Sequence, residues 1–406
     1  MRILQVIPGL GNSSGPTHVV VGLSEHLARQ GCAVTLYCLK YDGDDRVLPD
    51  PAWVSTSRFA ATLVKRWGYS QGLKEALKAN LRNFDIAHVH SVWLYPTFAA
   101  ARECRRQGVP YLIRPAGSFR PVAFSTNCTL KRLYFQLWER WNLENAAAIH
   151  ATSEPEAAEL RALGIGTPIC VVPIGVTLPA TDRKTTADDM RRRWGIEPEE
   201  KIVLYLGRLH PIKGLDILVA AFARLNSGGS RAKLVIVGPA TSGYDRELKM
   251  RVRKAGLEEK CLITGELRGD DKRAAYEAAS VFVLPSRTEN FGIVVAEAMA
   301  MGTPVVISRE APWLDVESHN AGSWVDLDAE KFAAAIADIL ENPDMAAQMG
   351  ENGRRLVETK YTWDRIAKRM LKVYENVVAG KDPNYGLGDP EAPNARDNRV
   401  PLESPC

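Results

Sequence analysis

Two carboxylates eight residues apart, Glu289 and Glu297, bracket the densest run of chemically capable residues in the sequence. The run reads Leu284-Pro285-Ser286-Arg287-Thr288-Glu289-Asn290-Phe291-Gly292-Ile293-Val294-Val295-Ala296-Glu297-Ala298-Met299-Ala300-Met301-Gly302. An apolar strand pattern ends at Leu284, a polar loop follows, and helical spacing begins near Phe291-Gly292. The first amides of a helix have no partner within it and carry the positive end of its dipole, so this start favours a phosphate. Gly292 lets another group come close to the backbone. The flanking carboxylates are placed to accept hydrogen bonds from sugar hydroxyls. On a purely structural reading, Glu289 is a favourable charge ahead of a helix and Glu297 a solvated helix position. Yet Glu297 stands in an otherwise apolar helix, where an unpaired charge is costly. A second group, Leu206-Gly207-Arg208-Leu209-His210-Pro211-Ile212-Lys213-Gly214, follows another apolar run. Arg208 and Lys213 would point into one crevice and together balance a diphosphate without a metal. The plainer alternative is a strand-to-helix loop with two surface cations. Asp42-Gly43-Asp44-Asp45 reads as a turn-like, solvated acidic cluster rather than a metal site.

The elements that must position these groups alternate. Strand patterns at 2–7, 33–38, 85–90, 110–114, 148–152 and 169–172 are interleaved with helical spacing at 17–30, 70–82, 95–107, 129–146 and 153–162. A second series follows, with strands at 202–206, 233–237, 260–264, 280–284, 304–307 and 323–325. Its helices fall at 214–226, 243–256, 271–278, 292–301, 328–342, 344–357 and 361–379. Repeated βαβ units predict an α/β chain with parallel sheets covered by helices on both faces. Right-handed crossovers place the ligand crevice at the carboxyl ends of the strands. The rhythm breaks over 174–200, which holds Gly175, Pro179 and Pro198. The expected organisation is two Rossmann-like doubly wound domains, 1–175 and 201–360, joined by a linker at 176–200 and facing a central cleft. Residues 361–379 are expected as a helix packing back on the first domain. The Pro-, Gly-, Asn- and Asp-rich stretch 380–406 is expected as a disordered tail.

Length and composition narrow the function classes. The chain has 406 residues, 46% hydrophobic and 25% charged, which suits two or three globular domains. A net charge of +4 is too small for a general nucleic-acid binder of this size. The charge is uneven, however. Residues 51–150 hold 14 Lys+Arg against 5 Asp+Glu, so a partner of negative charge fits that side unless the excess is merely a solvated face. No apolar stretch reaches transmembrane length. The N-terminus meets Pro8-Gly9-Leu10-Gly11 before a signal-peptide hydrophobic region forms. The 7 cysteines are scattered without a CxxC pair, which fits a reducing, cytoplasmic compartment.

Several of these motifs carry a resemblance. Glu289-x7-Glu297 followed by Ala298-Met299-Ala300-Met301-Gly302-Thr303-Pro304-Val305-Val306 resembles the signature of family-4 (group 1) retaining glycosyltransferases. Gly207-Arg208-Leu209 with Lys213-Gly214, and Gly238-Pro239 after the next strand, are similar to that family's diphosphate site. Gly15-Pro16 is similar to its first Gly-rich loop. The match spans about residues 1–375 with the motifs in the family's order. Arg114-Pro115-Ala116-Gly117 and Leu137-Trp138-Glu139-Arg140-Trp141-Asn142-Leu143 look most like bacterial enzymes that build surface polysaccharides, lipopolysaccharide and exopolysaccharide among them. The resemblance implies a GT-B fold and a nucleotide-sugar donor, with no metal and no further cofactor. It also implies transfer of a hexose-type sugar with retention to a saccharide or lipid-linked saccharide. Carried over by residue, Arg208 and Lys213 hold the departing diphosphate and Glu289 contacts donor-sugar hydroxyls. Gly15, Gly207, Asn290, Phe291, Gly292 and Ile293 line the donor, with Phe291 and Gly292 offering amides. Glu297 accepts from the ribose, and the backbone near Leu267 meets the base. Many relatives place a histidine in the loop after the fifth strand. Here that loop reads Pro115-Ala116-Gly117, and His90 is the candidate to cover part of the role, unless it is a satisfied structural histidine.

Residues 119–145 mix Arg120, Lys131, Arg132 and Arg140 with Leu133, Tyr134, Phe135, Leu137, Trp138 and Trp141. That pattern suits either peripheral attachment to an anionic membrane or a core-facing aromatic stripe. Rival readings of the whole chain are weaker. For a nicotinamide dehydrogenase, Gly15 comes one residue too late after Gly9-x-Gly11, and Tyr37-Cys38-Leu39-Lys40 lacks the ribose-binding acid. A nucleotide-sugar epimerase or a phosphorylase would keep the fold. A non-enzymatic nucleotide-sugar-binding subunit fits poorly with an intact set of Glu289, Glu297, Arg208 and Lys213.

Overall fold

The computed structural model describes residues 1–11, 15–40, 47–62, 64, 66–120, 128–179, 184–241 and 243–387. The acidic cluster 42–45 and the tail beyond 387 lie outside the described residues. Two parallel sheets form the frame. The first has seven strands in the order β3-β2-β1-β4-β5-β6-β7. These are β1 (Arg2–Ile7), β2 (Ala33–Lys40), β3 (Val54–Ala60), β4 (Ile86–His90), β5 (Tyr111–Arg114), β6 (Ala148–Ala151) and β7 (Ile169–Val171). The second has six strands in the order β10-β9-β8-β11-β12-β13. They are β8 (Lys201–Leu206), β9 (Ala232–Val237), β10 (Cys261–Gly265), β11 (Val281–Leu284), β12 (Val305–Ser308) and β13 (Gly322–Val325). The central strands are apolar and buried on both faces, as parallel strands under helices must be.

Two elements differ from the sequence expectation. β3 reads Val-Ser-Thr-Ser-Arg-Phe-Ala, too polar for a buried strand, because it is the sheet edge and alternates between cover and water. The stretch expected as a linker contains the helix Ala187–Trp194, which starts in a capping box between Thr186 and Asp189 and ends at left-handed Gly195. It lies on the helix Gly269–Ala278, with Arg193 bound to Asp271 at 2.6 Å and Arg273 to the Thr185 carbonyl at 2.6 Å. Those contacts attach it to the second domain.

The chain passes between the domains twice, side by side. Val176 bridges Thr362 in parallel, its N–H donating to the Tyr361 carbonyl at 2.8 Å. Beyond that point the helix Trp363–Val378 lies on the first sheet. The Trp363 ring fills a slot that only glycines leave open, since a Cβ on Gly22 or Gly175 would stand 2.5 or 2.4 Å from it. Residues 381–387, which composition put in the tail, fold back as turns. Asn376 Nδ2 donates to the carbonyls of Pro383 (3.2 Å) and Tyr385 (2.7 Å). One continuous apolar core runs from the first sheet, through this helix, into the second domain.

Candidate active site in the interdomain cleft

At the carboxyl end of β8 the backbone is steered by close approaches. A Cβ at Gly238 would meet the Gly207 carbonyl at 1.8 Å, so glycine alone lets the loops after β8 and β9 touch. Leu209 N–H then donates to the Pro239 carbonyl at 2.9 Å, and the Tyr205 hydroxyl holds the Arg208 carbonyl at 2.9 Å. A short turn, Pro211–Lys213, is capped by the His210 ring and ends at left-handed Gly214, φ 65°. A Cβ at Gly214 would lie 1.9 Å from the Pro285 carbonyl. This contact delivers Lys213 to the loop after β11.

There Lys213 pairs with Glu289, which also accepts from Ser286 Oγ at 2.8 Å. Both charges are largely buried, with side chains 16% and 9% exposed. Arg208 is exposed and has no ion pair among the described residues. After Glu289 the chain turns through Gly292 (φ 76°) into the helix Ile293–Ala300, whose start has no side-chain cap. Phe291 is buried against Trp313, whose indole N–H holds the Phe291 carbonyl. The charge on Glu297 is answered by Lys272 Nζ at 2.7 Å and the Tyr276 hydroxyl at 2.9 Å. Both partners sit on the helix Gly269–Ala278, which the half-buried Leu267 precedes. The buried Lys213–Glu289 pair thus lies a few residues ahead of the uncapped start of Ile293–Ala300, with Arg208 exposed on the loop after β8.

Not every expected residue gathers there. Gly15 opens the helix Gly15–Arg29 in the first domain and is exposed. Asn290 turns toward the first domain, where its Nδ2 donates to Thr152 Oγ1 (2.9 Å) and Glu156 Oε2 (3.2 Å). His90 is a correction. Its ring is 0% exposed, so it offers no face to a sugar in the cleft. Instead its Nε2 lies 2.6 Å from Gln5 Oε1, in a buried polar layer with His88, His150 and Tyr374. His88 Nδ1 meets the Tyr374 hydroxyl at 2.7 Å, and His150 Nε2 meets the Val172 carbonyl at 2.8 Å. Burial, reinforced by neighbouring imidazoles and Arg114, pushes His88 and His90 well below the ordinary imidazole range. Burial and Arg114 bring His150 down to about 3.

Sequence reasoning missed Lys272, Tyr276, Ser286 and the Thr152–Glu156 segment. The last carried a signal, because Ser153-x-x-Glu156 is a capping-box pattern. Ser153 does cap the helix Glu154–Ala162, while Glu156 reaches past it to the Thr152 N–H at 2.8 Å.

With this geometry in place, comparison with known proteins defines the class. Residues 14–175 match the glycosyl transferase 4-like domain and residues 186–356 match the glycosyl transferases of group 1. The chain belongs to the group 1, family-4 glycosyltransferases, and its two Rossmann-like domains make the GT-B fold. A D-inositol 3-phosphate glycosyltransferase of Segniliparus rotundus is 27% identical over 395 residues, 92% of this chain and 87% of that one. An uncharacterized glycosyltransferase of Methanocaldococcus jannaschii is 35% identical over 190 residues, and this match spans 46% of the present chain and 48% of the relative. Among solved structures, a sucrose-phosphate synthase from Thermosynechococcus elongatus superposes with TM-score 0.76 at 25% identity, covering 94% of this chain and 100% of its own. Anabaena HepE, solved with UDP-glucose, superposes with TM-score 0.72 at 17% identity, covering 93% and 100%.

Proposed function

We propose that this glycosyltransferase moves a hexose-type sugar from a nucleotide-diphosphate sugar to a saccharide or lipid-linked saccharide, with retention and without a metal ion. The observation that carries the reading is the Lys213–Glu289 pair beside the uncapped start of Ile293–Ala300. Breaking the anomeric bond puts negative charge on the diphosphate and oxocarbenium character on the sugar. Arg208, Lys213 and the helix amides stabilise the first in place, without reorganisation. Glu289 accepts from donor-sugar hydroxyls, Glu297 from the ribose, and the backbone at Leu267 meets the base. In same-face attack the acceptor oxygen bonds to the anomeric carbon as the carbon–phosphate oxygen bond breaks. The acceptor proton passes to the departing phosphate, so no protein nucleophile is required. UDP-glucose in the HepE structure supports a nucleotide-sugar donor.

On the acceptor side, Leu130, Leu133, Leu137, Trp138 and Trp141 are all exposed on one helix. This supports peripheral attachment to the cytoplasmic face of a membrane, where a lipid-linked intermediate of polysaccharide synthesis would be met. Thermal-shift titration with UDP-, GDP- and ADP-sugars in metal-free buffer tests the donor site, since a ligand of the native state raises the melting temperature. One base family is expected to give a shift that Arg208→Ala abolishes. No shift with any of them would overturn the reading.

A further inference from the structure

The Glu156 carboxylate is 3% exposed and accepts hydrogen bonds from four donors. Oε1 takes the Gly117 N–H at 2.6 Å. Oε2 takes the Thr152 N–H and hydroxyl, each at 2.8 Å, and Asn290 Nδ2 at 3.2 Å. Oε2 thus takes three donors and Oε1 one. Three of the four belong to the first domain, and the fourth arrives from the loop that also carries Glu289. A second tie runs beside it, from Ser153 Oγ to the Asn290 carbonyl at 3.0 Å.

Gly117 sits in a strained turn. Ala116 has φ 54° and Gly117 φ 76°, two successive left-handed residues at the carboxyl end of β5. A non-glycine residue in that region costs about 1–3 kcal/mol and persists only when its surroundings hold it. The Asn290 side chain also packs close beside this turn, since a Cβ at Gly117 would stand 3.0 Å from its Cγ and Oδ1. One carboxylate and one amide thus connect the turn after β5 with the loop after β11.

We propose that Glu156 and Asn290 are positioning residues that clasp the two domains. Through them the Pro115–Ser118 turn on the acceptor side and the Glu289 loop on the donor side come into register only when the domains meet. The names of the two sides rest on the function proposed above; the mechanical coupling of the two loops does not. With the clasp open, Glu156 loses its fourth donor and the strained turn loses the side chain that braces it.

Hydrogen–deuterium exchange of the full chain without ligand tests this. Asn290→Ala is expected to speed exchange several-fold at the amides of Gly117 and Thr152, across the cleft from the substitution, while exchange in the second sheet stays as in the wild type. Glu156→Gln is expected to act on the same two amides, and if that variant does not fold, Asn290→Ala decides alone. Unchanged exchange at Gly117 and Thr152 in Asn290→Ala overturns the clasp, including the case where that variant weakens a nucleotide-induced thermal shift and Asn290 is a donor contact only. Because the exchange needs no nucleotide, a wild type without any thermal shift sinks the donor assignment and leaves this measurement standing.

Discussion

Glu289 touches a lysine, a serine hydroxyl and the glycine turn that opens a helix. Lys213 holds the carboxylate in place while keeping the pocket from being acidic, so its removal acts twice. Lys213→Ala takes away the cation proposed to stabilise the leaving group and leaves a largely buried carboxylate without its counter-charge. Turnover is expected to fall by about 10²–10³-fold, the size of effect seen when one preorganised partner of a developing charge is deleted. Steady-state kinetics with the donor found by thermal shift would measure it, and a loss below about tenfold would remove Lys213 from the charge-balancing role. That Lys213 and Glu289 lie on loops at the carboxyl ends of strands was legible in the sequence, because an apolar run precedes each loop. The cost of Glu297 in an apolar helix was legible too. Its remedy was not, since Lys272 and Tyr276 lie more than twenty positions upstream on another helix. His90 misled for the same reason: its position at a strand end was correct, but its partner Gln5 lies on β1, and Gln5 is held in turn by Tyr374 from the far end of the chain.

Elements were read from periodicity, and periodicity reports burial. The twelve expected strands are apolar runs and all appear, whereas edge strand β3 has no such signature. The helix Ala187–Trp194 was hidden by its charges despite a capping pair and a C-terminal glycine. The segment Cys128–Glu144 is instructive in another way. Its aromatic and aliphatic residues could have faced the core, and some do: Phe135 and Leu143 are buried. Leu130, Leu133, Leu137, Trp138 and Trp141 form a second, outward set, and a wider π turn over Phe135–Glu139 interrupts the α-helical repeat. Such bulges recur at functional sites. Sedimentation with vesicles containing anionic lipid at low salt should carry the protein into the pellet, and Leu137→Asp with Trp138→Asp should leave it in the supernatant. Failure of the wild type to sediment would discard the membrane role.

Across the whole molecule, the buried polar layer ties stability to pH. His88, His90 and His150 stay neutral in the folded chain but take up protons near 6.5 once unfolded. The unfolded state therefore binds more protons, and stability falls as pH drops below about 6.5. Glu139 opposes this. Burial raises its carboxyl to about 7 from an ordinary 4.5, so its contribution is full below 4.5 and is lost as pH rises through 7. Three groups outweigh one, and the melting temperature should decline between pH 6.5 and 4.5. Glu139→Gln should steepen that decline and His150→Gln should flatten it. Melting curves across this range decide the matter, and a melting temperature that holds or rises on acidification contradicts it.

The side-by-side crossing at Val176 and Thr362 has a consequence for how the protein is made. The first domain is packed by the helix Trp363–Val378, so nearly the whole second domain must leave the ribosome before the first can be finished. Until Trp363 arrives, the slot between Gly22 and Gly175 stands empty and the Gln5–His88 layer meets water. A nascent chain at that stage shows a broad apolar face of the kind chaperones hold. Termination before Trp363 would leave that face without the helix that packs on it.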